Sequence, residues 1–373
     1  MKLKTILTLL AALGILTACN DDFFDQVPDD RITIEQVFQR TSYSEKYLAT
    51  VYSYIRDESH RTNGVPWDPC SDDLDVTYDR EDYNSFKMNL GNWSASSNYY
   101  EYWSHYYRGI RSATYFIQHI GSNQEMLDDP TRGPIVVEQY KNEARFLRAW
   151  FYYCLLRQYG PCVLLGDEVL PGDLDRDDVK MNLPRSSYDE CVDFIEEEFR
   201  KAADMLPDYW GPIAYGRAIK ATALAYRARL LLYAASPLVN GNPDYIGFNN
   251  PDGTPLMSTT YDPEKWKRAL DAAAAAIALA DEINPDTKKP KYDLYTSADS
   301  SLPDDERGRK NYHDTFVEEP WNGAEFILAK GAQSGIQALQ RYGGPRSIKG
   351  NMSKGWKTTL VPTMEAVEMY YTK

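Results

Sequence analysis

Apolar side chains recur three and four residues apart in several long stretches, the spacing that places one stripe on one face of an α-helix. Residues 33–57 carry Val37, Phe38, Leu48, Val51, Tyr52 and Ile55, with Glu35, Glu45 and Lys46 between them, and predict one or two amphipathic helices. Residues 99–120 step through Trp103, Tyr106, Tyr107, Ile110, Ala113, Ile117 and Ile120 and stop at Gly121. The stripe in 137–159 is denser: Tyr140, Ala144, Leu147, Phe151, Cys154 and Leu155, with Gly160-Pro161 as cap and stop. Ser186 or Ser187 caps a helix to residue 206 with Tyr188, Val192, Ile195, Phe199 and Ala202 inward, and 217–235 forms the next. Pro263 opens another through Trp266, Leu270, Ala273, Ile277 and Ala280, which Asn284-Pro285 ends.

Between these stretches the period disappears. Residues 60–98 hold Gly64, Pro66, Trp67, Pro69, the acids Asp72, Asp73 and Asp75, and Trp93, a long aromatic loop of the kind that carries function more often than filler. Residues 162–165, Cys-Val-Leu-Leu, read as a small strand or extended segment, and 237–262 as loop. Beyond 284 loop dominates, with an apolar stretch at 325–329 and a Gly/Arg/Lys-rich stretch at 343–357. A helix begins at Met364 and the chain then stops, so the sequence reads as truncated at its C-terminus.

Two helices echo each other. A shift of 78 carries Tyr188 to Trp266, Val192 to Leu270, Ile195 to Ala273, Phe199 to Ile277 and Ala202 to Ala280, and each is preceded by a long helix. Two degenerate helix-hairpin repeats of the tetratricopeptide kind are the natural reading, although the consensus Trp-x-x-Leu-Gly-x-x-Tyr is absent. Length alone, 373 residues, suggests two or three domains, but helical arrays run long without dividing.

The first 19 residues change the picture of where the protein works. Lys2 and Lys4 precede an apolar run from Ile6 to Leu16 that is too short for a permanent membrane span, which is the pattern of an export signal. It closes on Leu16-Thr17-Ala18-Cys19, which resembles the bacterial lipobox, so Cys19 is the expected lipidation site after removal of 1–18. The tether that follows, 19–30, begins with acidic residues and resembles the stretch that sends lipoproteins of the Bacteroidetes type to the outer cell surface. Four cysteines remain, Cys70, Cys154, Cys162 and Cys191, which allow three pairings; Cys154 and Cys191 fall on apolar helix faces, and no disulfide is expected to be essential.

Charge removes one class of ligand. With 41 Lys+Arg against 55 Asp+Glu the net charge is −14, which argues against a nucleic-acid partner. Catalytic signatures are sparse: four histidines (His60, His105, His119, His313), no His-Glu-x-x-His, no Gly-x-Ser-x-Gly, no phosphate loop and no Cys-x-x-Cys, so no enzyme and no cofactor is expected. Residues 173–178 alternate acids as a calcium loop does, but Asp178 stands where the turn needs Gly and Pro184 where a bidentate Glu belongs, so only an irregular calcium site stays open. Glu196, Glu197 and Glu198 read as a solvated helix face.

The aromatic content, 29 Tyr, 8 Trp and 12 Phe, points to sugars, whose C–H faces stack on flat rings while Arg, Asp and Asn bond the hydroxyls. Trp103, Trp150 and Trp266 lie on helical stripes and read as core; Trp67, Trp93, Trp321 and Trp356 lie in loops and read as ligand candidates.

Several segments together resemble the SusD/RagB family of outer-membrane nutrient-uptake lipoproteins. The strongest is 142–153, Asn-Glu-Ala-Arg-Phe-Leu-Arg-Ala-Trp-Phe-Tyr-Tyr, continuing to Arg157-Gln158-Tyr159-Gly160-Pro161; Ser71-Asp72-Asp73, 103–120, 217–235, 322–329 and 361–365 follow in family order. The resemblance implies a mainly α SusD-like fold with degenerate tetratricopeptide-like helix pairs, long loop insertions and few short strands. It implies an N-terminal helical region over 31–236 with a ligand loop at 60–98, and at 237–373 the start of a C-terminal region, since family members continue well past this end. It implies capture of oligosaccharide, in some members peptide, and delivery to a TonB-dependent barrel transporter of the SusC kind. In the ligand loop the matching order is Asp73, Arg80, Trp93 and Asn98. The competing class is a repeat-helix scaffold for a protein partner, which would keep short turns where this chain carries long aromatic insertions.

Overall fold

The computed structural model describes residues 33–56, 67–76, 83–94, 96–171, 178, 182–210, 216–296, 301–317, 325–330 and 360–369. Helices α1 (Ile34–Val37) and α2 (Thr41–Ser53) divide the first amphipathic stretch, and Thr33 caps α1 through a reciprocal bond pair with Gln36. Strand β1 (Leu74–Val76) and α3 (Asn84–Asn89) follow, then α4 (Trp103–His119), α5 (Gln124–Leu127) and the longest helix, α6 (Gly133–Tyr159). The remainder is α7 (Tyr188–Met205), α8 (Lys220–Ala235), α9 (Glu264–Asp281), α10 (Asp304–Val317), β2 (Leu360–Pro362) and α11 (Met364–Glu368).

The packing is sequential: α4 lies on α6, α6 on α7, α7 on α8 and α8 on α9, with α2 covering α4 and α6. This is the nearest-neighbour layout of a helix-hairpin array. Helix α6 is its centre, buried continuously from Ala149 to Leu156 because it has partners on several sides. Where α4 crosses it, Gly109 permits the approach, since a Cβ there would stand 2.9 Å from the Phe151 ring. Gly160 then ends α6 at φ +71, donating its N–H to the Leu156 carbonyl. Ser187, not Ser186, caps α7, and Glu190 bonds back to the Ser187 N–H at 2.7 Å.

Four sequence expectations are corrected. The loop 60–98 contains β1 and α3, and β1 pairs antiparallel with β2, Leu74 opposite Pro362 and Val76 opposite Leu360. Partners 284 to 288 residues apart leave no local period to read. Residues 162–165 take the extended form, one of the two expected, and tyrosines serve as their neighbours, with the Val163 N–H donating to the Tyr107 hydroxyl at 2.9 Å and the Leu165 N–H to the Tyr152 hydroxyl at 3.1 Å. Helix α10 lies in the region expected to be loop.

The equivalence by 78 residues also fails in detail. Tyr188, Val192, Ile195, Phe199 and Ala202 are buried on α7, whereas on α9 Trp266 is 41% exposed, Leu270 68% and Ile277 60%. Helix α9 turns its small side, Ala269 and Ala272 with Leu279, to α8. Among the described helices it packs chiefly on α8, and its larger apolar side faces outward.

The three consecutive glutamates are not one solvated face, because successive helical residues point about 100° apart. Glu198 is buried on Arg148. Glu196 binds Arg227 at 2.7 Å and Arg268, joining α7 to α8 and α9, and Glu197 is half-buried, paired with Arg200. Burial pushes the Glu196 carboxyl up, but the Arg268 and Arg227 guanidiniums outweigh it and hold it below its ordinary value of 4.5. Its contribution to stability is therefore complete above about pH 4.5 and is lost as pH falls through the lowered folded value. In acid-unfolding titrations Glu196→Gln should unfold with a shallower dependence on pH below that point; an unchanged slope would remove Glu196 from the acid transition.

The loop 237–262 is held by Asn240, whose Nδ2 donates to the Asp262 carbonyl at 2.9 Å while its Oδ1 accepts the Asp262 N–H at 2.9 Å. Next to it Gly241 has φ +78, and a Cβ would meet the Tyr261 backbone at 2.7 Å. Gly241→Ala is expected to cost about 1–3 kcal/mol in urea unfolding. A loss within error would show that this loop yields freely.

Candidate functional site

The described parts of the expected ligand loop lead onto the C-terminal end of α6, where the Arg157 guanidinium lies over Trp67 and the Tyr102 N–H donates to the Tyr159 hydroxyl at 2.7 Å. Within it, the Asn89 side chain ties the end of α3 to the Pro69 carbonyl at 2.8 Å and to the Asp75 carboxylate at 3.2 Å. The backbone of Asp73 is fixed from the far end of the chain, its carbonyl accepting the Thr363 N–H at 3.2 Å, while its side chain is exposed. Trp93 follows α3 and is 59% exposed. The turn after it closes through Ser94 and Ser97, which exchange backbone bonds of 3.3 and 3.0 Å, and the Tyr99 hydroxyl donates to the Asn92 carbonyl at 2.8 Å. Asn98 completes this turn, its Oδ1 accepting the Tyr100 N–H at 3.0 Å, and its side chain is exposed.

Asp73, Trp93 and Asn98 are thus carried on neighbouring buttressed segments, each exposed. An exposed indole on a backbone fixed by hydrogen bonds presents a flat apolar face without an ordering cost at binding. Trp67 is placed differently. The Arg157 guanidinium lies 4.7 Å from its ring centroid and that of Arg56 5.9 Å, and its indole N–H is buried without a hydrogen-bond partner among the described residues. Arg56 also lies 3.6 Å from the Tyr102 ring. Trp67 is thus half-buried among cations at the base of the loop, where Trp93 is open to solvent. Arg80, Trp321, Trp356 and Cys19 lie outside the described residues, as do residues 173–177 of the acidic calcium-like segment.

Of the helical tryptophans, Trp150 is buried and Trp103 half-buried, against Tyr107 and Tyr159. Trp266 is the exception described above. His105 sits among Tyr54, Tyr102 and Tyr106 with its Nε2 3.0 Å from the Tyr54 carbonyl, and burial pushes its imidazole below the ordinary value. His119 stacks on Tyr115 at 4.0 Å. Among the described residues no three His, Cys, Asp or Glu side chains gather as metal ligands.

A second concavity was not legible in the sequence. A cleft of about 720 Å³ lies toward the opposite end of α6, lined by Trp210, Arg217, Lys291, Tyr292, Tyr295 and Phe326 among others. Arg217 is its organising group: it stacks 3.7 Å from the Trp210 ring and 4.6 Å from Tyr140 and pairs with the fully buried Glu143 of α6. Lys291 spans Asp208 and Glu282 at 2.7 and 2.6 Å. These residues come from four separate segments, so no local spacing marks them; the clustering of Tyr292 with Tyr295 is the one signal available.

Sequential helix pairs with aromatic residues borne on inserted loops define a mainly helical protein of SusD-like fold. The chain belongs to the SusD-like family described as starch-binding and associating with the outer membrane, whose model matches residues 22–232. No curated protein matches the sequence. A SusD-like protein of Bacteroides fragilis is 23% identical, with a TM-score of 0.58 over 83% of this chain and 48% of its own. A selenomethionine structure of BT4246 is 25% identical, with a TM-score of 0.64 over 88% of this chain and 56% of its own. A SusD superfamily protein of Bacteroides thetaiotaomicron is 16% identical, with a TM-score of 0.55, covering 88% and 61%. At such identities the first and third show the fold alone, and the chain spans about half the length of the first two.

Proposed function

We propose that this protein is a non-catalytic outer-membrane lipoprotein that captures oligosaccharide and passes it to a TonB-dependent barrel transporter of the SusC kind. The observation that carries the reading is Trp93: a large exposed ring beside a turn whose backbone is held in place, on the same stretch of chain as the exposed Asp73 and Asn98. The ring stacks on a sugar face while carboxylate and amide bond its hydroxyls. Arg80, Trp321 and Trp356 are assigned to the same ligand, with Trp67 buttressing the loop from beneath. The family's description, starch-binding and associating with the outer membrane, supports both the ligand class and the location. Cys19 is assigned as the acylated anchor facing the cell exterior.

Calorimetry of the lipid-free protein from Asn20 onward, against glucans, mannans, host glycans and peptides, tests the ligand. Saturable binding of one glycan class is expected, and binding of peptides alone would replace the reading with a RagB-like one. For delivery, tagged protein solubilised from its own membranes should bring down a TonB-dependent barrel; repeated isolation without one would remove the hand-off.

One observation favours a second reading, a helix-array scaffold for a protein partner. The outward side of α9 carries Trp266, Leu270 and Ile277, an apolar stripe of the kind helix-groove partners use. The glycan reading stands ahead because its residues lie on long insertions that a scaffold does not require.

A further inference from the structure

Four cysteines allow three pairings, and the structure distinguishes among them. The Sγ atoms of Cys162 and Cys191 are in contact at 3.8 Å, both fully buried in the main core. Cys70 instead points its sulfur at the Ser85 carbonyl, 3.8 Å away, and is exposed. Cys162 lies in the extended segment after α6 and Cys191 in the first turns of α7, so the two anchor the ends of the long connection between those helices. Backbone and side chain hold the pair face to face. The Ser186 N–H donates to the Cys162 carbonyl at 2.9 Å, and the Cys191 thiol approaches the same carbonyl at 3.6 Å and the Ser186 carbonyl at 3.8 Å.

We propose that Cys162 and Cys191 form a disulfide when the protein reaches the cell envelope, pinning the connection that leads out of α6 to the start of α7. A disulfide needs the sulfurs at about 2.05 Å. The two sulfurs are already in contact, and the backbone hydrogen bond keeps the two segments adjacent. The envelope supplies the setting, since outer-membrane association places the chain in a compartment where disulfides persist.

The step is an exchange with an external disulfide, such as that of a dithiol oxidase. One cysteine thiolate attacks it, forming a mixed disulfide and releasing one thiol; the second cysteine thiolate then displaces the other. Two cysteine protons and two electrons leave, and the oxidant departs as two thiols. Both sulfurs are enclosed in the closed fold, out of reach of an external disulfide, so exchange takes place during folding, before the segment closes on α7. Once made, the bond closes a loop of 29 residues in the unfolded chain and restricts that ensemble.

The test is a peptide map of the full chain, exported by its host, purified without reductant and alkylated under denaturing conditions. The expected result is a linked pair of peptides containing Cys162 and Cys191, lighter by two hydrogens than the sum, with Cys70 and Cys154 alkylated. Alkylation of Cys162 or Cys191 in that sample, or linkage of either to Cys70 or Cys154, overturns the proposal. As a second readout, reductant should lower the thermal midpoint of the natural protein by several degrees and leave that of Cys162→Ala/Cys191→Ala where it is. Equal behaviour of the two also overturns it.

Discussion

Arg148→Met is expected to lower the unfolding free energy by about 3–5 kcal/mol, measured by urea or guanidinium titration. Arg148 lies at the middle of α6 with its side chain enclosed, donating to the Glu198 carboxylate through Nε at 2.9 Å and through the terminal nitrogen at 2.5 Å. Its other terminal nitrogen reaches the Asp167 carboxylate at 2.7 Å and the Gly166 carbonyl at 3.1 Å. Methionine keeps the volume of the stem and removes the charge, so Glu198 is left ionised in the core with Arg145 at 3.6 Å as its remaining cation. That under-compensated carboxylate dominates the loss; the contact with Asp167 adds little, because Asp167 is mostly in water. Arg148→Met/Glu198→Leu removes both charges and should recover most of the stability, as buried ion pairs replaced by apolar groups commonly do. If the single variant loses under about 1 kcal/mol, Glu198 is not an uncompensated charge in the core and the account of this pair fails.

Trp93→Ala is expected to reduce glycan affinity at least tenfold, about 1.4 kcal/mol, with the fold intact. The ring is exposed and its removal opens no cavity, so unfolding free energy should change by no more than about 0.5 kcal/mol. Trp93→Tyr keeps a flat face and should retain much of the affinity, whereas Asp73→Asn keeps the shape and tests the carboxylate alone. Calorimetry on each variant with the glycan the natural protein binds reads the order directly. Undiminished affinity in folded Trp93→Ala would take the stacking surface away from this loop and leave the Trp210–Tyr292–Tyr295 cleft as the place to look.

The helices were legible because their apolar residues repeat along the chain. Ser187 with Glu190 and Gly160 with Pro161 mark the beginning of α7 and the end of α6 by local bonds the sequence contains in full. The helix pairs and the family resemblance were legible for the same reason. The pairing of β1 with β2 was not, since Leu74 and Pro362 carry no sign of each other. Helix α10 escaped notice because its sequence, Asp-Asp-Glu-Arg-Gly-Arg-Lys-Asn-Tyr-His-Asp-Thr-Phe-Val, has no apolar stripe and is held by Lys310–Asp314 and similar charge pairs. Among the site residues, loop position beside Gly, Pro and Asn selected Trp67 and Trp93 alike, and the family resemblance added Trp93 alone. Their surroundings separate them further: two guanidiniums against the first, solvent against the second.

By itself the sequence determined the helical periodicity, the caps, the absence of a nucleic-acid charge pattern and the membership of a family, all properties written in residues near one another or in the sum of charges. The tertiary structure decided which acids are buried, which side of α9 faces its neighbour, which tryptophan is free and which two cysteines touch. Each of those depends on a partner brought from elsewhere in the chain. Glu196 and Glu198 show the difference most simply: two positions apart on one helix and both negative, they differ because Arg227 and Arg268 meet one while Arg148 meets the other in the core.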